Sequence, residues 1–189
     1  MKVNRNLLLE LLLHIMLLNL FLQSCNSSAG KDFPLHIAVR NGCMEEVMLL
    51  IKNGAGINGR DDKGDIPLHL AILHRKVAIV NYLLECGAHV NARDNNCLTP
   101  LYVAALTNQL QIAELLLEHG ADLNIKCLDG WTPLYGAACE DYTRLASLLL
   151  EYGADGNIKN KEGLTPIELA VKNNNIELTA LLSQPKNKN

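Results

Sequence analysis

The sequence predicts an all-α solenoid, a linear array of short helix–turn–helix units without a single central core. Three observations carry that prediction. Pro34, Pro67, Pro100, Pro133 and Pro166 stand 33 residues apart, with no insertion or deletion between them. Ala38, Ala71, Ala104, Ala137 and Ala170 keep the same interval, and so do Gly54, Gly87, Gly120 and Gly153. A fixed period of this length marks stacked supersecondary units, each burying its apolar face against its neighbours.

Residues 1–24 stand apart from the period and read as an export leader. Lys2 and Arg5 precede a Leu-rich run from Leu7 to Leu22, and small or polar residues follow. That layout is a signal peptide. The run contains Glu10, His14 and Asn19, and it falls short of the roughly 20 apolar residues of a spanning helix. Its end, Leu22-Gln23-Ser24-Cys25, resembles the lipobox of bacterial lipoproteins. That resemblance implies lipidation of Cys25 and a membrane tether, although Gln23 and Glu10 depart from the pattern. Two other readings stay open. Ser27-Ser28-Ala29 offers an ordinary cleavage site that would release a soluble exported protein, or the segment is uncleaved and the protein is cytosolic. Residues 25–30 form a linker, and residues 185–189 a polar tail.

The array is expected over residues 31–184, in repeats of approximately 29–60, 61–93, 94–126, 127–159 and 160–184. Thr99-Pro100, Thr132-Pro133 and Thr165-Pro166 place a capping hydroxyl before a proline at the first helical position. There the missing N–H costs nothing. A short helix follows with Leu and Ala on one face. The second helix carries stripes such as Ile112-Leu115-Leu116 and Leu145-Leu148-Leu149, and it ends at glycine, which takes the left-handed C′ position most easily. Polar stretches such as Asn91-Ala92-Arg93-Asp94-Asn95-Asn96 then form a turn.

Leu35-His36 and Leu68-His69, the Thr-Pro-Leu steps, the Leu-Leu-x-x-Gly-Ala steps and the Asn at 58, 91, 124 and 157 together resemble the ankyrin repeat. The resemblance implies antiparallel helix pairs with projecting β-turn or hairpin fingers, stacked into a curved array. It also implies that His36 and His69 are structural, their rings bonding the turn. Some positions depart from the pattern. Cys97 replaces the turn glycine, Cys127 and Asn160 replace the turn Asp, and Tyr102, Tyr135 and Glu168 replace the His. The first repeat, with Phe33 in place of Thr, is expected to cap the N-terminal end; Glu168, Lys172 and Asn173 to Asn175 give the last repeat a polar outer face.

Composition excludes some functions and chemistry. A net charge of −3 and 4% aromatic residues argue against nucleic-acid binding. The six cysteines form no C-x-x-C pair, so neither a zinc site nor a disulfide framework is indicated. Cys97 and Cys127 would fall on neighbouring turns, where an accidental disulfide is conceivable. No phosphate loop and no nucleophile elbow occurs. Catalytic residues, metal ligands and cofactors are therefore not expected, and a non-enzymatic, monomeric protein-binding module is. The membrane enters only through the N-terminal segment.

Two residue sets are candidates for partner contact. Arg60, Arg93, Lys126 and Lys159 share one repeat position and should line up as a basic ladder. The ladder is either a solvated row that keeps the turns soluble or a steering surface for an acidic partner. Leu98, Leu106, Leu128, Trp131 and Leu164 are apolar at positions the ankyrin pattern leaves variable and solvent-facing. They should form a concave patch, unless Trp131 folds over its own turn. The resulting function is a scaffold that holds a protein on its concave face, membrane-tethered where Cys25 is lipidated. A cytosolic or secreted effector or adaptor, and a regulatory or inhibitory subunit of an enzyme, are the alternatives.

Overall fold

A computed structural model describes residues 34–183. The leader, Cys25 and the last tail residues lie outside them. Among the described residues there are ten helices and no strand, in five antiparallel pairs. They are α1 (Pro34–Asn41) with α2 (Met44–Lys52), α3 (Pro67–Leu73) with α4 (Val77–Glu85), and α5 (Pro100–Leu106) with α6 (Leu110–Glu118). Next come α7 (Pro133–Cys139) with α8 (Thr143–Glu151), and α9 (Pro166–Lys172) with α10 (Ile176–Leu182).

The first helices of successive pairs pack side by side more intimately than the second helices do, so the array curves toward the first-helix side. Small residues cause this. Ala38, Ala71, Ala104, Ala137 and Ala170 are all fully buried, letting neighbouring backbones approach. The second helices supply bulk through Val47, Leu83, Leu116, Leu149 and Leu178, each fully buried. The core is therefore a continuous band running through every unit. Pro34 is exposed at the end of the band, whereas its four equivalents are buried beneath a preceding unit.

The caps read from sequence are present. Thr99, Thr132 and Thr165 hydroxyls accept the N–H of Tyr102, Tyr135 and Glu168 at 3.2, 3.3 and 3.3 Å. Where Ile66 replaces Thr, the cap changes hands. The Ile66 N–H donates to His69 Nδ1 at 3.3 Å.

The fingers are tight turns, without the strand pairing of a hairpin. Each is closed by two backbone bonds, as when Asp61 N–H donates to the Asp65 carbonyl and Gly64 N–H to the Asp61 carbonyl, both at 2.9 Å. Closure requires a left-handed residue, and Gly64, Gly130 and Gly163 provide it, with Cys97 at φ 61° in the second full finger. A β-carbon on Gly64 would stand 2.8 Å from the Asn95 backbone nitrogen, so this glycine also permits the next finger to approach. One backbone bond joins each adjacent pair of fingers: Asn95 N–H to the Lys63 carbonyl, Leu128 N–H to Asn96, and Lys161 N–H to Asp129.

Candidate partner-binding face

Three ladders of side chains stitch neighbouring units, and the first two remove polar groups from the pool that could meet a ligand. The first is the Asn column. Asn58 Nδ2 donates to the Gly87 carbonyl at 3.3 Å, and Asn58 Oδ1 accepts the His89 N–H at 2.7 Å. Asn91 repeats this with Gly120 and Asp122 at 3.3 and 2.8 Å, and Asn124 accepts the Asp155 N–H at 2.9 Å.

The histidines form the second. His36 Nε2 donates to the Asp65 carbonyl at 3.0 Å, and His69 Nε2 to the Leu98 carbonyl at 3.2 Å. His69 thus donates at one ring nitrogen and accepts at the other, which requires the neutral ring. Burial pushes its pKa below the ordinary histidine value, favouring that form. Tyrosine takes over further along. The Tyr135 hydroxyl accepts from Asn160 Nδ2 at 2.9 Å, and the Tyr102 hydroxyl meets the Cys127 side chain. The exchange is coordinated along the chain. His faces a turn with Asp61 or Asp94, and the longer Tyr faces a turn whose Asp has become Cys127 or Asn160.

The basic residues are the third ladder. Arg93 Nη2 donates to the Lys126 carbonyl and Lys126 Nζ to the Lys159 carbonyl, each at 3.0 Å. Arg60 bonds the Arg93 carbonyl in the same way and the Gly64 carbonyl at 2.9 Å. All four residues remain exposed. Sequence reasoning aligned them but missed this carbonyl-capping role, because a spacing of 33 residues does not reveal where a side chain ends.

The apolar candidates separate into three rows. Leu98, Trp131 and Leu164 share one repeat position at the finger base and are half-buried. Trp131 packs against the core, and its ring lies 5.0 Å from that of Tyr135 at a tilt of 34°. Leu128, near the third finger's tip, is 52% exposed, and Leu106 at the end of α5 is 37% exposed. Both are open to solvent. Leu106 lies on α5, which α3 and α7 flank and α6 backs, so its exposed side chain faces the concave side. Sequence reasoning overlooked Leu73, which occupies the position of Leu106 one unit earlier and is 53% exposed. The 33-residue register was the signal that could have found it.

Asp65 shares the finger-base position with these half-buried apolar residues. Burial, reinforced by Asp61 and Asp94, raises its pKa to about 6. Cys43, Cys86, Cys97, Cys127 and Cys139 are free thiols, so no Cys97–Cys127 disulfide forms. Among the described residues, no cluster of His, Cys, Asp and Glu could hold a metal ion, and no helix is long and apolar enough to cross a membrane.

This architecture defines a helical-repeat solenoid whose polar seams serve its own stacking. Three copies of the model for ankyrin repeats match the chain, over residues 4–94, 93–160 and 124–189, the first beginning ahead of the described residues. The chain belongs to the ankyrin-repeat family, whose members generally act as protein–protein interaction modules. No curated protein matches it.

Proposed function

We propose that this protein is a non-catalytic scaffold that seats a protein partner on its concave face. The observation that carries the reading is the exposure of Leu128 and Leu106, together with a half-buried Trp131 held against Tyr135. Apolar side chains open to water mark interaction surfaces, and Trp is enriched among interface anchors. Leu98 and Leu164 extend the patch along the finger base. Arg60, Arg93, Lys126 and Lys159 form its rim, a row of positive charge held in place by the carbonyls they cap.

The test is affinity capture with wild type, Leu128→Asp and Trp131→Ala. Leu128→Asp should leave the melting temperature within about 2 °C, because exposed positions contribute little to stability, and should remove partners that wild type retains. Unchanged recovery with both variants would sink the concave-face reading.

The leader supplies the second part of the proposal, export and tethering through a lipidated Cys25. Palmitate labelling that survives Cys25→Ala, or never appears, rejects the tether. The five free thiols favour a second reading, an adaptor working in a reducing cytosol. Intact mass of the protein from its own cell separates the two, since export cleaves the leader and cytosolic residence leaves it.

A further inference from the structure

Resting on the concave-face reading, we propose that the partner presents an amphipathic helix, with an apolar stripe and acidic residues at both ends. Arg40, Leu73, Leu106, Cys139 and Lys172 occupy one position of the repeat, at the C-terminal ends of α1, α3, α5, α7 and α9. Packing of consecutive first helices sets these five residues in a row along the concave side. The row reads cation, Leu, Leu, Cys, cation. Arg40 and Lys172 are exposed, Leu73 and Leu106 are exposed, and Cys139 is half-buried.

Two features select the occupant. The first is hydrogen bonding. The face is built of helices, whose mid-helix N–H groups are bonded internally, and of fingers whose adjoining backbones bond one another. The carbonyls of Arg93, Lys126 and Lys159 are already capped by the preceding basic side chain. An extended peptide laid here would leave its own N–H and C=O groups unpaired over leucine, a costly arrangement. A helix satisfies its backbone internally and needs only an apolar stripe. The second feature is charge. Arg40 and Lys172 bracket the apolar residues and call for carboxylates at the two ends of the partner. Glu140, next to Cys139 and exposed, disfavours an acid near the middle.

Neighbouring helices lie ~10 Å apart. The stretch from Leu73 to Cys139 is therefore ~20 Å, matched by ~13 residues of helix at 1.5 Å each. Reaching both cations takes ~27 residues.

A random-peptide library of about that length, displayed on phage and panned against the full chain, tests the proposal. Enriched peptides should be helical by circular dichroism, with apolar residues at i, i+3 and i+4 spacing and Asp or Glu toward both ends. Leu73→Asp or Leu106→Asp should weaken them by roughly tenfold or more in fluorescence anisotropy, as losing an interface anchor does. The pair Arg40→Glu with Lys172→Glu should reverse the preference toward Lys-ended versions of the same peptides, most strongly at low salt. Absence of enrichment, selection of proline-rich extended peptides, or indifference to Leu73→Asp and Leu106→Asp would overturn the proposal. If Leu128→Asp abolishes binding while those two variants do not, the concave-face reading survives and the helix row fails. If none of the three has an effect, both fail.

Discussion

Cys97 stands where its equivalents are Gly64, Gly130 and Gly163, and it adopts φ 61°. A side chain in the left-handed region costs about 1–2 kcal/mol, because Cβ crowds the backbone oxygen. Glycine relieves this but adds about 0.5–1 kcal/mol of unfolded-state entropy. Cys97→Gly should therefore stabilise the protein by about 0.5–1 kcal/mol in urea titration, the net of the two effects; a loss of stability would show that the thiol packs against the next finger. Asp65 gives a second residue-scale prediction. Its folded pKa, about 6, lies above the ordinary carboxylate value of 3.8. Native protein therefore binds this proton more tightly than unfolded chain does. The contribution is fully present below the unfolded value and is lost as pH rises through about 6. Asp65→Asn should remove that loss, raising stability at pH 7 by about 1 kcal/mol once the group's partial exposure is discounted, and should flatten the stability profile between pH 4 and 7. A profile identical to wild type would refute the assignment.

At the scale of elements, adjacent units meet through an apolar seam and three polar ladders. The seam alone would let units slide, since leucine against alanine is tolerant of register. The ladders remove that freedom by pairing fixed backbone atoms at fixed positions. Asn91→Ala deletes bonds at 3.3 and 2.8 Å to the Gly120 carbonyl and the Asp122 N–H. Both lie on exposed turns, so water can replace part of what is lost. The expected cost is about 1–2 kcal/mol by chemical denaturation. Asn91→Asp should recover less than half of it, because a carboxylate accepts the N–H but cannot donate to the carbonyl. Full recovery would mean that only the accepting bond matters.

Over the whole molecule, stability is distributed along a line, so the same substitution has different reach at different units. Leu116 and Leu178 are both fully buried core residues of second helices, one mid-array and one in the last pair. Truncation to Ala should cost about 2–4 kcal/mol at either position. Leu116→Ala should shift the whole cooperative transition, because it weakens units on both sides. Leu178→Ala should instead fray α9 and α10, raising amide exchange over residues 166–183 while α3 to α6 stay protected. Uniform loss of protection in Leu178→Ala would contradict the linear picture.

The period of 33 residues by itself determined the fold class, the helix pairs, the caps at Thr99, Thr132 and Thr165 and the departures at Cys97, Tyr102 and Tyr135. Those features are local, or they repeat, and repetition converts one local signal into five. Leu106 and Leu128, both selected from the sequence, are open to water. Tertiary structure decided the rest, because burial depends on the neighbouring unit. It turned Trp131 inward against Tyr135 and left Leu98 and Leu164 half-covered. It tied the basic ladder to backbone carbonyls, and it set Leu73 in line with Leu106 between two cations. A residue's column in the repeat follows from counting. Where its side chain points is settled only when the next unit has packed beside it.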